Sequence, residues 1–189
     1  MLTRRDFNLA LGAFSLAGMG GAFAQSQAQP IRIMVGHAAG GGVDFVARLL
    51  SEPIKTTLNQ NVVVENRTGA SAMLATSAVA KAAPDGKTLL MGSGEMGINP
   101  QLHKGRMPYE PQEIVPIALV GVVPCVVAVN SASTIRAPQD VVKEAKANPG
   151  KLTFSSSGVG NPQQLAGELM NTMAGIQVIH VPYRGAAPA

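Results

Sequence analysis

The residues best able to do chemistry in this chain are two small-residue loops, each set between a strand-like run and a helix-like run. In the first, Gly40-Gly41-Gly42-Val43-Asp44 follows the apolar run Ile31-Arg32-Ile33-Met34-Val35 and opens a helical run from Phe45 to Leu50. In the second, Ser157-Gly158-Val159-Gly160-Asn161 follows Leu152–Ser156 and precedes a helix over Pro162–Met173. A glycine loop at a helix start leaves backbone N–H groups bare at the positive end of the helix dipole, a geometry that suits an anion. Ser155, Ser156, Ser157 and Asn161 add side-chain donors to the second loop. Asp44 is a different case. Close to a helix start, its carboxylate is suited to capping N–H groups and favouring the dipole.

Other motifs fail on their surroundings. Gly92-Ser93-Gly94-Glu95-Met96-Gly97 fits the dinucleotide pattern G-x-G-x-x-G. Pro100 should end any helix opening there, because the residue before a proline is pushed out of helical geometry. Gly150-Lys151 is followed by Leu152 and lacks the hydroxyl a phosphate loop needs, and no G-x-S-x-G elbow is present. His37, His103 and His180 lie far apart without metal-ligand spacing, so a structural role is read for each. The residues imply no catalytic site, no metal and no cofactor. Asp85 reads as a turn residue.

The ends of the chain carry separate information. Arg4-Arg5 precedes an uncharged run from Phe7 to Ala24, which closes on Ala22-Phe23-Ala24, a small-x-small cleavage pattern. The paired arginines favour a twin-arginine export signal, cleaved near Ala24, and hence a periplasmic protein. Cleavage there would remove two arginines and one aspartate, so the formal charge would fall from +4 to +3. Charged residues make up 14% of the chain, against about 25% in typical domains, and no basic cluster supports nucleic-acid binding. The single cysteine, Cys125, excludes an internal disulfide and is expected to be a buried small hydrophobe.

Around the loops, strand-like runs alternate with helical patterns, as in a parallel sheet covered by helices. Strands are expected at 31–37, 61–65, 88–91, 152–156 and 177–181. Helices are expected at 44–58, with Phe45, Leu49, Leu50, Ile54 and Leu58 on the buried stripe, and at 70–83, 138–148 and 162–173. Pro53 should kink the first helix or end its first half. The region 92–113 reads as irregular. Two apolar runs, Val115–Gly121 and Cys125–Asn130, meet at Pro124, where a boundary divides a first lobe (25–123) from a second (124–189).

Several pieces stand in an order that resembles one known family, the periplasmic solute receptors of tripartite tricarboxylate transporters, or Bug-type receptors. They are Gly40-Gly41 with Asp44 and Arg48; Val64-Glu65-Asn66-Arg67 with Gly69-Ala70; Ala83-Pro84-Asp85-Gly86 with Thr88-Leu89; and Asn99-Pro100 with Leu102. Ala147-Asn148-Pro149-Gly150-Lys151-Leu152 follows, then Ser157-Gly158-Val159-Gly160 with Leu165-Ala166-Gly167-Glu168, and last His180-Val181-Pro182-Tyr183-Arg184-Gly185. The resemblance implies an α/β, periplasmic-binding-protein-like fold of type II, clamp-like, with two α/β lobes, the second incomplete in this chain. It implies a monomer that holds a small carboxylate (a di- or tricarboxylate, an acidic amino acid or an aromatic acid) and delivers it to membrane permease subunits. The ligand-binding residues are expected among Gly40, Gly41, Gly42, Asp44, Ser156, Ser157, Gly158, Gly160, Asn161 and Tyr183.

The chain departs from the family pattern where Gly36 and His37 replace proline and an aromatic, where Gln164 replaces a histidine, and where Lys87 replaces an aromatic. Its last strand, Gln177–Val181, leads into a loop with no helix after it, so a C-terminal truncation is expected. Three other readings compete with the receptor. They are a ligand-sensing module for a membrane sensor, a non-functional receptor fragment, and an exported enzyme using Asp44 or His37.

Overall fold

The computed structural model describes residues 29–189; the export signal expected at 1–24 lies outside them. Eleven short elements run in order: β1 (Ile31–Val35), α1 (Gly42–Leu58), β2 (Val62–Asn66), α2 (Met73–Ala80), β3 (Thr88–Met91), α3 (Glu95–Leu102), a 3-10 turn (Pro111–Glu113), α4 (Pro138–Ala147), β4 (Thr153–Ser156), α5 (Pro162–Ala174) and β5 (Ile179–Pro182). They form two separate parallel sheets, one in the order β2-β1-β3 and one pairing β4 with β5. Among the described residues no helix is long and apolar enough to cross a membrane.

β1 is the centre of the first sheet. Ile33 faces Val64 on one side and Leu89 on the other, and Val35 faces Asn66 and Met91. A parallel strand between two neighbours is covered on both faces, which is why this run is nearly continuous in apolar residues. Ile33, Met34 and Val35 are at most 3% exposed. Ile33, Val35 and Ala47 form the core, with Val43, Ile54, Val62, Val64 and Met91 packed around it. Each large side chain buried there contributes roughly 1.5–3 kcal/mol.

The buried face of α1 differs from the expected stripe. Phe45, Leu49 and Leu58 are more than half exposed, while Asp44 and Ala47 are buried. The small Ala47 lets the helix lie close to β1, and Val43 and Ile54 complete that face. Pro53 does not end the first half of the helix, which is continuous over 17 residues. The carbonyl left without its N–H partner is that of Leu49, on the exposed side, where water can serve it.

Pro100 is likewise tolerated. α3 opens after Gly94 and runs through Pro100 to Leu102, so the dinucleotide-like motif does precede a helix and 92–113 is not wholly irregular. Asn99 is held in the helix by its buried side chain, whose Nδ2 donates to the Ser71 carbonyl at 2.9 Å. The region 114–130 contains no helix or strand, and Val115, Ile117, Leu119, Val122, Val123 and Val126 are each more than 75% exposed. Cys125, in this run, is exposed rather than buried.

Between β2 and α2 three successive residues, Ala70, Ser71 and Ala72, have left-handed φ angles of 47°, 54° and 63°. Each such non-glycine residue costs about 1–2 kcal/mol. The turn is pressed against the end of β1: a Cβ on Gly36 would lie 2.3 Å from the Cβ of Ala72. Position 36 therefore has no room for a side chain.

Candidate functional site

The first loop is shaped by one carboxylate. Gly41 is the N-cap of α1 and offers no side chain to cap it. The N–H groups of Gly42 and Val43, in the first turn, have no intrahelical acceptor. Asp44, 2% exposed, does not cap these groups. Its Oδ2 accepts from the Gly40 N–H at 2.9 Å and its Oδ1 accepts from Asn66 Nδ2 at 2.8 Å, while Arg48 donates to both oxygens at 2.9 Å. The Arg48 guanidinium first, then the Gly40 and Asn66 bonds, outweigh burial and lower the Asp44 pKa to about 2. The carboxylate is thus fixed as an anion that holds the loop open beside it, with every bond directed at the protein.

The second loop is built the same way. Asn161 is the N-cap of α5: its Oδ1 accepts from the Gln164 N–H at 2.8 Å. Its Nδ2 donates to Ser157 Oγ at 2.8 Å and reaches Ser156 Oγ at 3.3 Å. The Gly160 N–H donates to Gln164 Oε1 at 2.6 Å. Ser156 Oγ donates to the Gly158 carbonyl at 2.9 Å, accepts the Gly158 N–H at 3.2 Å and meets His180 Nε2 at 2.7 Å. A serine against a histidine is also how a nucleophile meets its base. Here the serine is 2% exposed and its proton is directed to a carbonyl. Burial lowers the His180 pKa, with the Glu168 charge opposing it. The pair braces the loop.

The segment after β5 ties the two loops together. The Tyr183 N–H donates to the Ser156 carbonyl at 3.0 Å, and the Ala38 N–H donates to the Arg184 carbonyl at 3.1 Å. Gly185 packs so closely that a Cβ there would lie 2.9 Å from the Ala38 nitrogen. Tyr183 itself is 40% exposed. The second loop also rests on the first sheet's connections: Ser71 Oγ donates to the Val159 carbonyl at 2.7 Å, and a Cβ on Gly94 would meet Pro162 at 2.5 Å. The ten candidate residues therefore occupy two loops joined through one strap. Gly40, Gly42 and Tyr183 are exposed, while Gly41, Asp44, Ser156, Gly160 and Asn161 are buried.

Sequence reading passed over one buried cluster. His37, just past β1, contacts Glu95 in the first turn of α3, Nε2 to Oε1, at 3.0 Å. The Ser93 hydroxyl donates to the other Glu95 oxygen. Burial raises the Glu95 pKa, but the bonds from His37, Ser93 and its own backbone N–H outweigh it, and the net shift is downward. The signal in the sequence was positional: a histidine and an acid each closely follow a parallel strand.

Both loops, the strap and this cluster gather at strand ends and helix starts, with no metal-ligating cluster of three among the described residues. Residues 46–189 match the model of the tripartite tricarboxylate transporter family receptor. This chain belongs to that family. It is 37% identical over 162 residues to a UPF0065 protein in the tcbD-tcbE intergenic region of Pseudomonas sp. strain P51, covering 85% of this chain and 48% of that protein. In three dimensions it is similar to R. palustris Rpa4515 with adipate (TM-score 0.80, 30% identity, 84% of this chain and 54% of that one). It is also similar to the periplasmic binding protein BugD (TM-score 0.73, 31% identity, 84% and 53%). The family is one of solute receptors rather than enzymes, and its periplasmic-binding-protein architecture is the fold the resemblance implied. The chain spans about half the length of the curated relatives it matches.

Proposed function

We propose that this chain captures a small di- or tricarboxylate outside the cytoplasm and hands it to a tripartite tricarboxylate-type permease, without chemical change to the ligand. The observation that carries the reading is the strap Tyr183–Gly185, which hydrogen-bonds to Ser156 and Ala38, the residues that lead into the two glycine loops, and so supports both loops facing one anion. Rpa4515, which resembles this chain over most of its length, was solved with the dicarboxylate adipate. In this reading the backbone N–H groups of Gly42 and Ser157 face the ligand, with Gly41, Gly158 and Tyr183 beside it. Gly40, Asp44, Ser156, Gly160 and Asn161 keep the loops in shape. The first lobe spans 25–123 and the second 124–189.

Thermal unfolding with and without a panel of carboxylates tests this. A ligand present at a hundred times its Kd stabilises the folded state by about 2.7 kcal/mol. The expected result is a raised melting temperature with at least one di- or tricarboxylate. A cooperative transition that no member of the panel shifts would overturn the proposal.

A further inference from the structure

In the sheet order β2-β1-β3, the chain leaves β1 towards β2 on one side and later returns to the other side with β3. The strand order reverses between β1 and β3, and ligands of open α/β sheets bind in the crevice at the carboxyl ends of the strands at such a point. Two charge-capable residues occupy that crevice, His37 after β1 and Glu95 after β3, with Ser93 between β3 and α3. Three facts about them are informative together. The His37 side chain is 10% exposed and that of Glu95 is 5% exposed. Both Glu95 oxygens are engaged, by His37 and by Ser93. The second ring nitrogen, His37 Nδ1, is buried and has no hydrogen-bond partner.

A buried polar atom without a partner is uncommon and costs about 1–3 kcal/mol. A buried carboxylate beside the proposed anion site is a second anomaly, because as an anion it repels the ligand the site would hold. One assignment resolves both. We propose that His37 is a ligand contact, its Nδ1–H donating to a carboxylate oxygen of the bound ligand while Glu95 and Ser93 hold the ring from the other side.

The assignment rests on the receptor reading above. Glu95, as an anion, accepts the Nε2–H, which fixes that proton on Nε2. A proton on Nδ1 as well makes the ring an imidazolium. It then cancels the Glu95 charge and presents a donor to the ligand. The other charged groups near His37 leave this balance in place. Asn66 Nδ2 donates to the His37 carbonyl and to Asp44, and Asp44 is already neutralised by Arg48. From the strap, Arg184 meets the neighbouring Ala38 through its backbone carbonyl.

The test is calorimetric titration of the whole protein with adipate, succinate, malate and citrate, followed by the same titration of two variants with the tightest-binding acid. His37→Gln keeps an amide nitrogen near the Nε2 position facing Glu95 and removes Nδ1. It should bind at least tenfold more weakly. His37→Asn places an amide N–H near Nδ1, and should recover part of the affinity. Affinity unchanged in His37→Gln would overturn this assignment and leave the receptor reading standing. Failure of all four acids to bind a cooperatively folded protein would overturn the receptor reading and the assignment with it.

Discussion

The Gly160 N–H donates to Gln164 Oε1 at 2.6 Å, and the Gly40 N–H donates to Asp44 Oδ2 at 2.9 Å. In both loops a side-chain oxygen four residues on takes the N–H of the glycine that turns the chain into its helix. Both glycines have positive φ, 74° and 81°. Each loop thus carries its own internal acceptor for the glycine N–H at its turn.

Gln164→Ala removes the acceptor of the second loop. One ordinary hydrogen bond contributes about 1 kcal/mol, and the unfolding free energy should fall by about that amount. Carboxylate affinity should weaken as well, since a loop that is no longer pre-organised must be ordered on binding. Denaturant unfolding and calorimetric titration would read the two effects separately. Unchanged affinity would mean that Gln164 does not shape the ligand-facing donors.

Asp44 makes stability depend on acid. Its folded pKa of about 2 lies below the ordinary value of 3.8, so the unfolded chain binds the proton more readily. The stabilisation is complete above the unfolded value and is lost as pH falls from about 4 to about 2. Unfolding curves across that window should show a decline that Asp44→Asn reduces. The variant should also be less stable at neutral pH by about 1–3 kcal/mol, because the Arg48 pairing is lost and the Gly40 N–H keeps at most a neutral acceptor.

Gly36→Ala should destabilise the fold by about 1–3 kcal/mol, as overpacking does, because the new methyl would lie 2.3 Å from Ala72. Ala72→Gly removes the opposing methyl and relieves a left-handed alanine at φ 63°. The double variant should recover most of the loss. A thermodynamic cycle over the four proteins measures the coupling, and additive effects would contradict the close contact.

Cys125 is exposed. A thiol reagent should therefore modify one equivalent per chain without denaturant. Slow labelling that accelerates only on unfolding would restore the buried position expected from its apolar neighbours.

Much of this architecture was legible in the residues. Thr88–Met91 begins and ends where the run was placed, because Pro84-Asp85-Gly86 makes an unambiguous turn before it. The glycine loops announced themselves by composition and by the helices that follow them. Other features depended on tertiary contacts that no local pattern encodes. The α1 stripe was assigned to the largest apolar residues, whereas the sheet accepted the small Ala47 and the charged Asp44. Pro100 was read as a helix stop, but the Asn99–Ser71 bond holds the helix through it. Cys125 has apolar neighbours, yet the run it belongs to has no sheet to enter. The His37–Glu95 contact joins residues 58 apart, and only the adjacency of β1 and β3 makes them neighbours.

The long exposed run has a consequence for pairing. From Val115 to Val129, nine large aliphatic side chains stand in solvent on backbone that belongs to no sheet. Such a stretch is a template for any extended chain that meets it first, and it has the character that chaperones and quality-control proteases select. A complementary strand paired along this segment would bury these side chains and close that edge.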